Sequence, residues 1–222
     1  MSANPIAEPV VVSTIDRLRA RQVVSIEALH AINGVPHDTI VNKHTAWMTP
    51  LIEQFIEAAP FFLIATADSE GNVDVSPKGD PSGTVKIIDQ RTIAIPDRPG
   101  NRRIDGHRNI IENPHIGLIF IIPAVDETVR VNGRAFITDD PELLDDMVVQ
   151  GKRPKLATIV EIDEVYMHCA RAFLRSGLWQ PETWPNPDTI PTLGAIMCEQ
   201  KELPAPDETT GKRNEEYRKV LY

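Results

Sequence analysis

The feature that most constrains this fold is a closely spaced series of short β-type segments in the first two thirds of the chain. FFLIATA (61–67) and VDVSPK (73–78) flank the turn-forming stretch DSEGN and predict a hairpin. Four more segments continue the strand pattern: 84–88, 91–95, 115–122 and 128–137. Six strands separated by turns and one short helix favour an antiparallel barrel over β-α-β units.

Further segments are predicted around this series. LATIVEI (156–162) is typical of another strand, whereas 165–174 fits a strand or a helix equally well. One helix is expected to begin at Pro50 behind the N-cap Thr49 and to end at Pro60. Another is expected to begin at Pro141. Residues 1–12 are expected to be extended, and 14–31 weakly helical with Thr14 and Ser25 as N-caps.

Composition excludes several classes of function. The chain has 32 acidic and 23 basic residues, and this net charge of −9 disfavours nucleic-acid binding. No apolar run approaches the roughly 20 residues that span a bilayer, so we expect no membrane insertion. The two cysteines, Cys169 and Cys198, form no CxxC pair, and with no secretory pattern at the N-terminus they predict a cytoplasmic protein.

The stretch DRPGNRRIDGHRN (97–109) concentrates four arginines in this acidic chain. Pro99-Gly100 suits a tight turn, and Asn101 is a good N-cap for a helix that begins at Arg102. A helix N-terminus after such a turn binds anions, and three arginines and one amide are the natural clamps: Arg98, Asn101, Arg102 and Arg103. Asp105 is placed to hold the Arg102 guanidinium. A solvated, partly salt-bridged helix face explains the same residues equally well.

Two other stretches carry candidate residues. Ser76-Pro77-Lys78-Gly79 ends a strand. Its glycine allows the backbone to approach a ligand closely, and its lysine is suited to pair with an anion. An edge-strand terminus followed by a turn is the simpler explanation. In FLRSGLW (173–179), three residues suit the covering of a planar ligand: Arg175, Ser176 and Trp179. Core packing of the aromatic residues is the alternative reading there.

Several motifs are absent from the sequence. It has no P-loop, no GxGxxG, no GxSxG elbow and no HExxH, so classical nucleotide, hydrolase and zincin chemistry lack support. His168-Cys169 has no partner residues at metal-ligand spacing, and we expect no metal site. Arg130, Asn132 and Arg134 share one strand face, opposite Val129 and Val131.

From Pro60 to Trp184 the chain resembles the pyridoxamine 5'-phosphate oxidase-like FMN-binding split-barrel superfamily, and in particular its bacterial branch described as probable FMN-dependent enzymes. The resemblance is carried by four motifs in order: FFLIATADSEGNVDVSPKGD, IPDRPGNRRIDGHRNIIENPHIGLIF, VRVNGRAFITDD and VYMHCARAFLRSGLW. It implies a mainly β (α+β) fold, a six-stranded antiparallel split β-barrel with flanking helices. The implied organisation is an arm and helical extension (1–59), an FMN-binding domain (60–180) and a proline-rich tail packed on it (181–222).

The resemblance also implies a cofactor and its contacts. Residues 76–79 would lie beside the isoalloxazine ring of FMN, and the arginine-rich stretch would bind its phosphate through Arg98, Asn101, Arg102 and Arg103. Arg175, Ser176 and Trp179 would approach the flavin from the partner subunit of a homodimer.

The expected activity is that of an FMN-dependent oxidoreductase, with hydride transfer through flavin N5 and an unidentified small substrate. Lys78 is the first candidate for a catalytic residue. The chain lacks the RMVLLK-like strand and the C-terminal Arg/His motif of authentic pyridoxamine phosphate oxidases, which argues against vitamin B6 oxidation. The alternatives are a non-catalytic flavin- or haem-binding module and a barrel that binds another phosphorylated ligand.

Overall fold

The computed structural model describes residues 13–204 and 210–222. The predicted extended arm over residues 1–12 lies outside these ranges. The chain divides after Lys43 into two compact units. In the described ranges, no helix has the length and apolar character needed to cross a membrane. The domain boundaries predicted at residues 59 and 180 stay predictions.

The first unit contains three short helices: α1 (Thr14–Arg19), α2 (Ile26–Asn33) and α3 (Asp38–Val41). Ser25 caps α2 by accepting a hydrogen bond from the backbone N–H of Ala28 at 3.1 Å, as predicted. The cap of α1 is Ser13 and not Thr14, because the Ser13 hydroxyl accepts from Asp16 N and leaves Thr14 as the first helical residue. None of the side chains in these three helices is buried.

The second unit contains the sheet and the remaining helices. Its helices are α4 (Pro50–Ala58), α5 (Asp105–Glu112), α6 (Pro141–Asp145), α7 (Arg171–Ser176), α8 (Leu193–Gln200) and α9 (Thr210–Arg218), with 3-10 turns at Pro181–Thr183 and Pro187–Thr189. Its strands are β1 (Phe61–Ala67), β2 (Val73–Gly79), β3 (Lys86–Asp89), β4 (Thr92–Pro96), β5 (His115–Ile121), β6 (Thr128–Thr138) and β7 (Ala157–His168). The fold is therefore mainly β with flanking helices, as predicted.

The strands form one antiparallel sheet in the order β2-β1-β5-β6-β7-β4-β3. It has seven strands where six were expected. The additional strand is β7, which pairs with both β6 and β4 and so connects β2, β1, β5 and β6 to β4 and β3. β7 joins the predicted strand 156–162 to the start of the ambiguous segment 165–174, whose remainder contributes α7. The sheet is not a closed barrel, since β2 and β3 are its two edges.

The larger of two hydrophobic clusters among the described residues lies inside the curl of this sheet. Side chains from strands distant in the sheet order contact the same core, among them Phe62 of β1 and Ile93 of β4. Such contacts require the sheet to curve around its apolar face. On β6, Val129 and Val131 are fully buried in that face, which confirms the predicted sidedness of the strand. Ile56 of α4 closes part of the core.

A β-bulge between β6 and β7 contributes to this curvature. Asn132 pairs with Glu164 and Gly133 pairs with Ile162, so Asp163 is the extra residue on β7. A Cβ atom built on Gly133 would overlap the carbonyl oxygen of Glu161 and lie 3.0 Å from its carbonyl carbon. Only glycine fits this close backbone approach.

We therefore expect Gly133→Ala to destabilise the protein by about 2 kcal/mol or more, because the two longest strands must separate to admit a methyl group. Urea denaturation followed by circular dichroism measures the change. Gly100→Ala is the control, since a Cβ atom there has no neighbour within 4 Å. Equal stability of the two variants would contradict this explanation of Gly133.

Candidate functional site

A cleft of about 760 Å³ opens between β2, the segment that follows β4, and the start of α5. Its base is apolar and includes Ile64, Ile95 and Ile110. β2 and β4 are not adjacent in the sheet order and do not pair with each other. The curl of the sheet nevertheless brings them to opposite sides of the cleft. The volume lies within the range of roughly 300–1,000 Å³ that is typical of cofactor pockets.

Strand β2 contributes alternate side chains to the cleft. Asp74, Ser76 and Lys78 are half-buried and line it, whereas Val73 and Val75 face away. The Ser76 hydroxyl donates a 2.8 Å hydrogen bond to Asp74. Of the four residues predicted beside the flavin ring, Ser76 and Lys78 thus line the cleft. The other two, Pro77 and Gly79, line a smaller neighbouring cavity.

The arginine-rich segment forms a loop before α5, and the prediction of a helix from Arg102 is wrong. The helix begins at Asp105, because Arg102 and Ile104 adopt left-handed backbone conformations with φ of 62° and 53°. Asn101 caps a turn and not a helix, since its Oδ1 accepts from the backbone N–H of Arg103 at 3.0 Å. Ile104, the N-cap of α5, provides no side-chain hydrogen bond, so the helix N-terminus presents uncapped backbone donors at the cleft.

The cleft is rich in basic side chains. Six line it: Lys78, Arg98, Arg102, Arg103, Arg153 and Lys155. They outnumber three carboxylates: Asp74, Asp97 and Asp105. Arg153 and Lys155 were missed from the sequence, where they stand in the loop GKRPK more than 40 positions beyond the arginine-rich stretch. The positive charge of these six residues makes the cleft suitable for an anionic ligand.

The predicted pairing of Asp105 with Arg102 is wrong, and two other arginines at the cleft have carboxylate partners. Asp105 contacts Arg103, whose Nε donates to it at 2.7 Å, and not Arg102. Arg153 donates to Asp145 and to the carbonyl of Pro141, which fixes its side chain at the rim. Arg102 and Arg103 remain exposed at the mouth of the cleft, where their donors are accessible to a ligand.

Arg98 is held inside a buried network. Its Nε donates to Asp80 at 2.5 Å, and its Nη2 donates to the carbonyl of Met147 at 3.0 Å. The side chains of Arg98 and Asp80 are only 13% and 8% exposed. Tyr222 donates its hydroxyl to the other Asp80 oxygen at 2.6 Å, with the Arg98 guanidinium over its ring. The hydrogen bond to Asp80 raises the pKa of the Tyr222 phenol. Arg98 thus lines the cleft, but its Nε and Nη2 groups already donate hydrogen bonds within the protein.

His107 and Asp97 lie on the same side of the cleft. The His107 Nε2 is 3.8 Å from the Asp97 Oδ1, and its side chain is 14% exposed. Burial lowers the pKa of His107, the nearby Asp97 opposes this effect, and Lys78 adds to it. The imidazole is therefore mainly neutral near pH 7, and the cleft's positive charge comes from lysine and arginine.

The residues predicted to cover a planar ligand lie away from this cleft in the same chain. Trp179 donates its indole N–H to the carbonyl of Val125 at 2.9 Å and stacks on Phe173. Ser176 donates to the carbonyl of Phe173, and Arg175 is exposed. Within one chain these contacts agree with the packing alternative. Their predicted contact with a partner's cofactor stays a prediction.

The sequence profile of the pyridoxamine 5'-phosphate oxidase family matches residues 48–169, which include β2, the arginine-rich loop and α5. The chain belongs to this family of FMN-binding split-barrel proteins. A search of curated protein sequences gives no match.

Solved structures of similar proteins include three bacterial proteins. HupZ of Group A Streptococcus is 18% identical with a TM-score of 0.44, covering 54% of this chain and 93% of its own. General stress protein 26 of Bacillus anthracis is 13% identical with a TM-score of 0.41, covering 52% and 89% respectively. An FMN-binding protein from Syntrophomonas wolfei is 13% identical with a TM-score of 0.38, covering 53% and 88%.

The Asp80–Arg98 pair joins the end of β2 to the segment after β4. Removal of either partner leaves a buried charge, so we expect Arg98→Ala and Asp80→Ala each to cost about 3 kcal/mol of stability. The double variant should cost much less than the sum of the two. The exposed pair of Arg103 and Asp105 is the control, for which Arg103→Ala should cost at most about 1 kcal/mol. Urea denaturation of the four variants and the wild type measures these values, and additive losses at Asp80 and Arg98 would contradict the coupling.

Proposed function

We propose that this protein binds FMN in the cleft and acts as an FMN-dependent oxidoreductase on a small substrate. The observation that carries the proposal is the excess of basic side chains around an apolar-based cleft of about 760 Å³, in the part of the chain that matches the family. FMN combines a planar ring system with a phosphate. This cleft offers apolar surface for the ring and cationic donors for the phosphate.

The phosphate of FMN is assigned to the loop that precedes α5. Arg102 and Arg103 are exposed there, and planar guanidinium groups donate two hydrogen bonds at once to phosphate oxygens. The uncapped N-terminus of α5 adds backbone donors, which favour a dianion. Lys155 also lines the cleft and contributes positive charge. Arg98 has a positioning role, because Asp80 and Met147 already engage its guanidinium.

The ring system is assigned to the part of the cleft lined by β2. The base formed by Ile64, Ile95 and Ile110 supplies apolar contact for a flat ligand. Ser76 and Lys78 supply polar atoms along one side. When bound, FMN supplies hydride transfer at flavin N5. The chain's own residues bind and orient it, and the Lys78 ammonium is the group placed to stabilise negative charge beside the ring.

Replacement of both loop arginines tests the phosphate assignment. Charge-assisted hydrogen bonds contribute roughly 1.5–3 kcal/mol each, so Arg102→Ala/Arg103→Ala should raise the Kd for FMN about 100-fold or more. Quenching of FMN fluorescence on titration with apoprotein measures the Kd. Arg108→Ala is the matched control, because Arg108 is exposed on α5 and does not line the cleft. A double variant that binds FMN like wild type would refute this phosphate site.

Turnover is tested separately from binding. The FMN-loaded protein is mixed anaerobically with NADH, NADPH or reduced deazaflavin, and the visible absorbance of the flavin is followed. Bleaching by a donor, followed by recovery on addition of an acceptor, is the result expected of an oxidoreductase. Flavin that stays oxidised with every donor would contradict the enzymatic part of the proposal and support a flavin-binding module.

We also propose a homodimer in which β2 lies at the interface. Its outward side chains Val73 and Val75 are 79% and 60% exposed. Phe61 of the adjacent strand β1, opposite Gly79, is 38% exposed. An apolar row on an edge strand attracts a partner. In this arrangement Arg175, Ser176 and Trp179 approach the FMN of the partner subunit.

Val73→Lys/Val75→Lys should convert the dimer to a monomer, since it places two charges in an apolar interface. Sedimentation velocity measures the change. Val24→Lys is the control, because Val24 is 80% exposed and belongs to the first compact unit. A wild-type monomer, or a double variant that stays dimeric, would contradict this assignment of the interface.

A further inference from the structure

A second cavity of about 220 Å³ adjoins the cleft. It is lined mainly by the end of β2 and by the segment that follows β4. Six residues line both spaces: Lys78, Ile95, Pro96, Arg98, Pro99 and Gly100. A molecule in the cavity and a flavin in the cleft would therefore contact a common set of side chains.

The size of the cavity limits its occupant. A volume of 220 Å³ corresponds to about seven water molecules, which suits a small organic molecule and not a flavin. Much of the lining is apolar, and Phe62, Val85 and Ile95 are nearly fully buried there. The cavity is therefore suited to a compact molecule that has an apolar part.

The charge on the cavity lining favours an anionic group on that molecule. Both Asp80 oxygens are engaged inside the protein, one by Arg98 and the other by Tyr222, so this carboxylate is neutralised. Lys78 is half-buried, and within residues 13–204 and 210–222 no hydrogen bond or ion pair engages its ammonium. Lys78, which lines both spaces, thus presents a positive charge without a hydrogen-bond or ion-pair partner among the described residues.

The geometry points to this cavity as the pocket for the second ligand of the protein, a small carboxylate with a compact apolar body that pairs with Lys78. This inference rests on the proposed FMN site, because it takes the cavity's occupant to be the molecule that reacts with the flavin. Lys78 would contact the carboxylate from the wall common to both spaces, and Asp80 and Tyr222 would hold Arg98 in that wall.

Benzoate is the probe, and benzamide is its uncharged counterpart of the same shape. Isothermal titration calorimetry with the full chain, with and without FMN, should give benzoate a Kd at least about tenfold below that of benzamide, since only benzoate pairs with Lys78. Lys78→Met keeps an unbranched side chain only one heavy atom shorter and removes its charge, so it should abolish this preference. Equal affinity of the two probes for wild type would overturn the proposal.

Thr84→Leu tests the location of the probe. Thr84 lines the cavity but not the cleft, and its hydroxyl donates to the carbonyl of Pro81 at 2.8 Å. The larger side chain should fill the cavity and weaken benzoate binding at least about tenfold while the Kd for FMN stays unchanged. The matched control is Thr45→Leu. Thr45 is also half-buried and donates to a nearby carbonyl, that of Trp47 at 2.7 Å, and it lines neither space.

The failures of the two proposals are distinguishable. If FMN binds but Thr84→Leu takes up benzoate as well as wild type does, the pocket is wrong and the FMN site stands. If benzoate binds and Thr84→Leu blocks it while the protein takes up no FMN, the pocket stands as an anion site and the proposed function fails.

Discussion

The ion pair between Asp80 and Arg98 is the interaction on which the shape of the candidate site depends. It joins the end of β2, at one edge of the sheet, to the segment after β4, which lies near the other edge. Backbone hydrogen bonds do not connect these strands, so side chains hold the curled sheet together at this point. Burial of the pair makes it sensitive to the loss of either partner, and Tyr222 completes the coordination of Asp80. Arg98 lines both the cleft and the cavity, and Asp80 lines the cavity.

The alternation of side chains along β2 gives its two faces different roles. The residues at 74, 76 and 78 provide polar groups to the cleft, whereas those at 73 and 75 form an exposed apolar row. Successive side chains of a strand point to opposite faces. In our account, one face of this edge strand therefore contacts the ligand and the other contacts a partner subunit. The proposed cofactor site and the proposed dimer interface thus share β2, and we expect a change in this strand to affect both surfaces.

Much of the fold was predictable from local pattern. Turn chemistry and strand composition indicated the hairpin of β1 and β2, and the Thr49-Pro50 signal located the start of α4. The role of β7 was not predictable, because its central position depends on pairing with β6 and β4, which are distant in sequence. The start of α5 was misplaced because nothing in the local sequence signals left-handed conformations at Arg102 and Ile104.

The candidate site was predictable only where its residues cluster in sequence. The arginine-rich loop stood out in an acidic chain, but the partner of each arginine depends on tertiary contacts. Asp80 was visible at the end of β2, yet only the folded chain brings it to Arg98 and Tyr222. Arg153 and Lys155 join the cleft for the same reason.

The most direct test of the central claim is a crystal structure of the protein grown with FMN. The account predicts electron density for the flavin between β2 and residues 97–104, with the phosphate contacting Arg102, Arg103 and the N-terminus of α5. Flavin density at another surface, or a protein that crystallises without FMN at saturating cofactor, would contradict it.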